Sequence, residues 1–551
     1  MTESIDPITL AVLAGRMEQI ADEMDATLFR AAFNPIIAEA HDASHGLYHP
    51  TTGDTLVQGK SGLPIFVGVM SFAVKAVIEK AAEHGDLADG DIYIFNDAHL
   101  GGTHLNDMRL VRPYFHEGKP FCYLGSVGHW HDLGGAVPGN YNPAATDAFQ
   151  EAFVLPPVRL AKAGVLQTDI VDILMRNTRL PQSAEGDLNG QLGALDLGVK
   201  RLAELLAEYG AETVRAALDA LQNRAEMLMR AELEELPNGR WEAEDFLDND
   251  GITDEPLAIR VALEIKDDTM TLDFSGTADR CAGPVNIALP TAVATAYVAI
   301  KHIFPALPAN AGVMRPINVV IPENSLLSAP FPAPVGGYTE TILRMIDVIF
   351  AAASQAAPDR VVANAYGTIN ALSIAGKRKN GQPWVMFSFY GGGHGGSLES
   401  DGLNHGNAPI STATIPPMEI LEAAYPVMFR QWRDLLFLHW EYPVEAIQAT
   451  LPNGLFVDTF AGKAYLGVVP FFMQKIRPRF LPAVPGISDF MELNLRTYVH
   501  DKAGVPGVWF YSLDANQWMA VQIARRFFHL PYEYAKMKSS RTPEGSIGFE
   551  S

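Results

Sequence analysis

The sequence predicts an α+β protein of several folding units, a mixed helix-and-sheet body followed by a β-rich C-terminal unit. Three observations carry this expectation. A length of 551 residues is about three to four times the ~150 residues of an ordinary domain. The first 429 residues alternate between helical periodicity and short apolar stretches bounded by turns. After Phe429 the composition becomes aromatic and strand-like, so boundaries of 1–429 and 430–551 are expected.

The elements follow in order. Asp6 suits a helix N-cap and Pro7 its first turn. Leu10, Leu13, Met17, Ile20, Met24 and Leu28 then recur at steps of three and four, which makes one apolar helix face. That helix should end before Asn34-Pro35. Ile92–Phe95 and Phe121–Val127 read as buried strands, and the segments Asn96–Asp107 and Gly128–Gly139 as loops rich in His, Asp and Gly. Thr168–Leu236 is helical in texture and reads as scaffold. Arg260–Ile265 and Thr269–Phe274 alternate around Asp267-Asp268, which predicts a β-hairpin with Met270, Leu272 and Phe274 on one side. Gly276–Pro308 is Ala-rich and helix-compatible. Trp384–Tyr390 reads as a strand leading into Gly391–Gly396. Beyond Phe429, the residues Trp432, Phe437, Trp440, Phe456, Phe460, Tyr465, Phe471 and Phe472 make the last unit β-rich.

Composition excludes several function classes. With 48% hydrophobic and 19% charged residues the chain can bury large cores. The 41 basic and 64 acidic residues leave a net charge of -23. That disfavours nucleic acid and anionic membrane surfaces as partners; solubility, or steering of cationic ligands, accounts for the excess. The cysteines, Cys122 and Cys281, number only 2, too few for a disulfide framework or a thiolate metal site. Cys122 lies in an apolar strand and reads as core. A reducing, cytoplasmic location is expected, because the N-terminus lacks the apolar segment of a signal peptide and no run is long enough to span a membrane.

Asp97, His99, His104, Asp107, His129, His131 and Asp132 crowd one short stretch of a chain with only 15 histidines. Imidazole and carboxylate together suit Zn, Mn or Fe(II). His104 and Asp107 sit three apart on a turn, and His129, at the end of the next candidate strand, closes a two-His, one-carboxylate set. Asp42, in the pair His41-Asp42, is a possible fourth ligand or base. His131 would share a strand face with His129 if the strand continued, as an acid/base or a supporting residue. Satisfied polar loop residues are the alternative reading. Gly101, Gly102, Gly128, Gly134, Gly135 and Gly139 fit either a backbone approaching a ligand or ordinary turns. Gly391–Gly396 lacks the Lys-Ser/Thr of a phosphate-binding loop, so no ATP site is expected on this chain and a packing role is favoured. Ser61-Gly62 lacks the context of a nucleophile elbow.

The residues also carry a resemblance. Asp6-Pro7-Ile8-Thr9, His41-Asp42-Ala43-Ser44, Asn96-Asp97, Gly101-Gly102-Thr103-His104-Leu105-Asn106-Asp107 and Gly128-His129-Trp130-His131-Asp132-Leu133-Gly134-Gly135 occur in order. Pro138-Gly139, Asn177 with Arg179, Gly186-Asp187, Asp273-Phe274-Ser275-Gly276-Thr277 and the Gly391–Gly396 run follow. Residues from about 5 to 429 thereby resemble the hydantoinase B/oxoprolinase family, which includes the alpha subunit of acetone carboxylase. The resemblance implies a hydantoinase B-type body in a hetero-oligomer with an A-type subunit that carries the ATP site. It implies ATP-dependent opening of cyclic amides (hydantoins, 5-oxoproline, lactams) or ATP-dependent carboxylation of ketones. In the acetone carboxylase branch a metal, thought to be Mn, sits on a His-x2-Asp pair and a later His, which His104, Asp107 and His129 match.

Beyond Phe429 the sequence departs from that family, and its usual Gly-rich C-terminal portion is missing. Trp432 to Met537 resembles instead a small uncharacterised bacterial family with an acetoacetate-decarboxylase-like β-barrel. The match runs through Trp432-Arg433-Asp434-Leu435-Leu436-Phe437, Leu451-Pro452-Asn453-Gly454-Leu455, Asp458-Thr459-Phe460, Glu492–Tyr498 and Gly507–Asp514. A barrel-like unit cut short at Ser551 is the expectation. Decarboxylase chemistry would need a Schiff-base lysine, and neither Lys463 nor Lys475 lies in a matching motif. The resulting expectation is a metal-dependent B-type subunit of a cyclic-amide hydrolase, with Asp42 or His131 moving the proton. The alternatives are an alpha-type subunit of a ketone carboxylase, a non-haem Fe(II) oxygenase, and a non-enzymatic assembly subunit.

Overall fold

The computed structural model describes residues 5–550 except 391, 394, 398–401, 403–427, 434–435, 437, 460–461, 479–483, 485–487, 503–505, 528–529 and 542–546. The chain divides into two units, Met1–Pro416 and Pro417–Ser551.

The first unit begins with the helix Pro7–Ala31. The Asp6 carboxylate caps it by accepting from the amides of Ile8 and Thr9. Leu13, Met17, Ile20, Met24 and Leu28 are buried, as their spacing predicts. Helices Thr168–Arg176, Pro181–Tyr209 and Ala211–Glu234 fill the segment expected to be helical.

At the centre is a seven-stranded sheet. Its strands are β1 (Ala43–Tyr48), β2 (Thr55–Gln58), β3 (Ile92–Phe95), β4 (Asp107–His116), β5 (Lys119–His129), β6 (Val158–Lys162) and β7 (Val165–Leu166). They lie in the order β2-β1-β5-β4-β3-β6-β7, every neighbour antiparallel. Side chains alternate between two cores. Ile94, Leu110 and Leu124 face the helices 7–31 and 181–209; Phe95, Val111, Tyr123 and Val127 face the helix Pro64–His84 and the layers beyond it. Because both faces are covered, β1 is buried at every position. Strand β4 was not predicted. Arg109 and Arg112 break its apolar pattern, and only the fold shows that Arg109 is buried.

A second sheet holds β8 (Gly239–Leu247), β9 (Leu257–Lys266), β10 (Thr269–Asp273) and β11 (Ile317–Val320) in the order β11-β10-β9-β8. The pair β9–β10 is the predicted hairpin, with Met270, Leu272 and Phe274 buried. The helices Leu289–Ile303 and Tyr338–Ala356 share its core. The first of these occupies the latter half of the Ala-rich stretch; Pro284 and Asn286 belong to the turns before it. Among the described residues no helix is long and apolar enough to cross a membrane.

A polar chain is buried beneath the central sheet. His45 Nδ1 lies 2.7 Å from Asp25 Oδ1 and its Nε2 2.9 Å from Ser126 Oγ. Gln191 joins Ser126 at 3.3 Å and accepts from Trp130 Nε1 at 2.9 Å. The order Asp-His-Ser is that of a hydrolase triad, but all three side chains are buried and none lines a described cavity. Their positions explain them better as a lock. His45 and Ser126 are opposite partners on β1 and β5, and Asp25 clamps the helix 7–31 onto that pair. Asp25→Ala is expected to cost about 3 kcal/mol, since it strips a buried imidazole of its partner. A lowered urea midpoint for the first unit is the readout; an unchanged one contradicts the lock.

The second unit is β-rich. Strands Met428–Arg433, Ala464–Pro478, Phe490–His500, Pro506–Ala515 and Tyr532–Tyr534 follow one another across its sheet, with Leu438–Tyr442 and Phe456–Val457 branching from it. Its core gathers Val469, Phe471, Met473, Phe490, Ala515 and Val521. Closure into a barrel is not seen among the described strands. The outermost strand has three residues and pairs only with Pro506–Ala515, in parallel. Lys463 is exposed and ion-paired to Glu441 at 2.7 Å, and Lys475 is exposed. Neither has the desolvated surroundings that activate a Schiff-base lysine.

Candidate metal centre

Sheet register assembles the site. Asp107 opens β4 and His129 closes β5, and they are directly opposite partners in the ladder. Ala43, at the start of β1, pairs with Gly128. Asp42 is therefore delivered beside His129, whose amide donates to the Asp42 carbonyl at 3.1 Å. A left-handed residue, His41 with φ 54°, makes the turn into β1. Its ring stacks on Phe29 at 4.0 Å, away from the other candidates.

His104 comes from the loop before β4. That loop starts with the short 3-10 turn Ala98–Leu100, which Asp97 caps. Gly101 has φ 138°, and a Cβ there would overlap the Ala73 backbone; one at Gly102 would overlap the Arg109 guanidinium. These glycines do permit close approach, but to the protein itself. Arg109 is fully buried, lies 5.5 Å over the Phe95 ring and donates to the carbonyls of Asp97 and His104 at 3.4 Å each. It holds the loop from below.

The three side chains converge. His104 Nε2 is 3.1 Å from Asp107 Oδ1, and His129 Nδ1 is 3.7 Å from the same oxygen. One ligand atom from each lies within 4.8 Å of the other two. The Thr103 hydroxyl donates to the other Asp107 oxygen. Asp42 Oδ2 stands 3.5 Å from His129 Nδ1, while its Oδ1 is buried without a hydrogen-bond partner. All four are buried, Asp107 at 0% exposure and Asp42 at 7%.

Electrostatics fit a cation. Burial pushes His129 down to about 3, so its imidazole is neutral, the form that ligates metals. Burial works against ionisation of Asp107, but His104 and Arg109 hold it at about 2. Burial and the Asp107 charge raise Asp42 well above the usual carboxylate range. An N2O donor set with one ionised carboxylate, and a second carboxyl group beside it with an orphaned buried oxygen, match a divalent ion with mixed ligands.

A cavity of about 390 Å³ opens against this cluster. Asp42, Tyr141, Tyr338 and Phe387 line it. Tyr338 stands 5.0 Å from the His104 ring, Phe387 stacks on His129 at 5.9 Å, and Tyr141 stacks on Phe387 at 4.6 Å. The aromatic trio was not singled out beforehand. Tyr141 follows the loop already marked by Pro138-Gly139, but Tyr338 and Phe387 come from a distant helix and strand with no local signal.

The remaining candidates have other places. Strand β5 ends at His129, so His131 does not share its face. His131 Nε2 is buried without a partner, and the residue does not line the cavity. Asp132 accepts from the amides of Gly134, Gly139 and Arg179 and from the Arg179 guanidinium at 2.9 Å, which ties the loop after β5 to the segment before helix 181–209. His99 packs edge-on against Phe331. In the glycine run, the carbonyls of Gly393 and Gly396 accept from the amides of Tyr366 and Ala363, a packing role; residues 391 and 394 lie outside the described residues.

The family described as hydantoinase B/oxoprolinase matches residues 6–434. The caprolactamase subunit beta of Pseudomonas jessenii is 31% identical over 78% of this chain and 74% of that protein. The 5-oxoprolinase of Dictyostelium discoideum is 27% identical over 78% of this chain and 33% of that longer protein. The crystal structure of the ATP-dependent caprolactamase from Pseudomonas jessenii has a TM-score of 0.67 at 26% identity, covering 92% of this chain and 87% of its own. A nucleotide-free acetone carboxylase structure has a TM-score of 0.69 at 17% identity over 99% of this chain and 81% of its own, a likeness of fold. Residues 430–551 match a family of uncharacterized conserved proteins. Within that region, YqjF of Bacillus subtilis is 49% identical over 21% of this chain and 47% of that protein.

Proposed function

This chain belongs to the hydantoinase B/oxoprolinase family, and from that premise we propose that it is the B-type subunit of an ATP-dependent cyclic-amide hydrolase. Its substrate would be a hydantoin, 5-oxoproline or lactam ring, and ATP would be used on an A-type partner subunit. The observation that carries the reading is the buried convergence of His104, Asp107 and His129 beside Asp42, which lines a cavity. Those three residues would hold a divalent ion, Mn, Zn or Fe, which would supply Lewis acidity next to Asp42.

The chain's own residues do the rest. Tyr141, Tyr338 and Phe387 pack around the imidazoles and exclude water from them. Thr103 and Arg109 keep the carboxylate and the His104 loop in place. Asp42 presents an unpaired oxygen at the cavity wall and takes up or gives the proton there. His131, which does not line the cavity, is the second candidate for that proton. Ketone carboxylation on the same architecture has a likeness of fold behind it.

The test is reconstitution of the full chain with an A-type subunit, ATP and a divalent metal. Ring opening coupled to ATP consumption is expected with a cyclic amide, and none when the chain is omitted. Ketone- and bicarbonate-dependent ATP consumption without ring opening would replace the hydrolase reading with the carboxylase one.

A further inference from the structure

We propose that a second cavity, between the helices Pro64–His84 and Leu289–Ile303, is a regulatory site for a small amino carboxylate, a ligand with one carboxylate and one ammonium group. The choice of ligand rests on the hydrolase reading, since opening a lactam ring yields such a zwitterion.

The cavity has a volume of about 260 Å³. That is below the roughly 300–1,000 Å³ of pockets for drug-sized ligands, so its occupant must be small. It shares no described lining residue with the cavity beside the triad. Its charged wall residues are Asp54, Lys75 and Arg315, set beside the polar side chains of Thr55, Ser71 and Asn310. Val67, Val293 and Met314 add apolar surface.

Both signs of charge thus share one wall, and they are unequally committed. Arg315 is fixed: it donates to Gln222, Asn223 and Glu226 at 2.7, 2.9 and 3.2 Å. Asp54 and Lys75 pair only loosely, 3.4 Å apart, with side chains 39% and 45% exposed. An exposed pair of that kind contributes little. A zwitterion can exchange it for two new pairs, with its carboxylate toward Lys75 and Arg315 and its ammonium toward Asp54. A simple anion would meet Asp54, a simple cation would meet Lys75 and Arg315, and an uncharged ring would use neither.

The regulatory role follows from what else these helices hold. They cross in close contact at the cavity, where a Cβ on Gly68 would overlap Ala294. At adjoining positions the same two helices grip the loop that carries His104. The Ala73 backbone packs against Gly101, and the Thr291 hydroxyl donates to the Gly102 carbonyl at 2.6 Å. A ligand wedged between Ser71 on one helix and Val293 on the other would press the helices apart and loosen that grip. Occupancy should therefore weaken metal binding.

Calorimetric titration of 4-aminobutyrate, the ring-opened form of 2-pyrrolidinone, into the full chain should show one binding event per chain. Butyrate and butylamine, each lacking one charge, should bind at least ~10-fold more weakly. Lys75→Gln and Asp54→Asn should each weaken 4-aminobutyrate by about 10-fold, while His104→Ala should bind it at least as well as the wild type does. Titration of Mn(II) in saturating 4-aminobutyrate should give an affinity at least ~5-fold weaker than without it, a difference that Lys75→Gln abolishes. No binding, equal binding of butyrate, binding lost in His104→Ala, an unchanged Mn(II) affinity, or a shift that persists in Lys75→Gln overturns the inference. Ring opening in the reconstituted complex tests the hydrolase reading separately. If it fails while these results hold, the site stands and its amino carboxylate comes from another reaction.

Discussion

His104→Ala and Asp107→Ala are each expected to take the purified chain from about one divalent ion to none, and to abolish ring opening in the reconstituted complex. The physical basis is the closeness of the donors. His104 Nε2 and His129 Nδ1 lie 3.1 and 3.7 Å from one Asp107 oxygen. Removing any one of three ligands leaves two, and the buried surroundings offer no water-rich replacement. The loss should exceed the ~10–100-fold that follows when an outer partner of a metal ligand is removed. Thr103→Val removes such a partner, the hydroxyl on the second Asp107 oxygen, and should fall within that ~10–100-fold window. Elemental analysis and metal titration read the effect, and an unchanged urea midpoint separates it from unfolding. Full metal occupancy in both alanine variants would sink the site; absence of metal from a folded, reloaded wild type would leave an assembly subunit as the better account.

The parts of this site that were legible in the sequence are those with local signals. His104 and Asp107 sit three apart, and their convergence needs only a turn. His129 was legible because β5 is an apolar run ending in polar residues, so its last side chain falls at the sheet's edge. The pairing of Asp107 with His129 was not, because β4 hides its alternation behind Arg109 and Arg112 and register is a long-range property. Tyr338 and Phe387 were invisible for the same reason. Their spacing is ordinary for a helix and a strand, and only packing turns them toward the imidazoles. In the polar loops composition overstated the chemistry. Asp97 caps a turn and Asp132 binds Arg179, tasks that Asp performs wherever backbone amides need an acceptor. The first helix and the β9–β10 hairpin were readable nearly to the residue, because one face of each is buried and their periodicities are unbroken.

The second large effect is expected at Asp42. Asp42→Asn should lower kcat by about 10²–10⁴-fold, the range for a positioned acid or base, while leaving metal content near one ion per chain. Proton transfer and metal holding separate here although Asp42 and His129 lie only 3.5 Å apart. Asp42 is not needed to complete the three-ligand set, yet it lines the cavity and keeps one oxygen without a partner in a buried place. An oxygen left unsatisfied costs stability unless another molecule uses it. Asparagine keeps the shape but cannot exchange a proton, so affinity for the metal and KM should change little while turnover falls. His131→Gln is the comparison. The residue lies beyond the end of β5 and does not line the cavity, so a loss within about 10-fold is expected, smaller than that of a direct proton carrier. If Asp42→Asn instead loses its metal, the carboxylate is a fourth ligand. If His131→Gln shows the larger fall in kcat, with metal intact, the proton moves through His131, and the loop after β5 must approach the cavity during turnover.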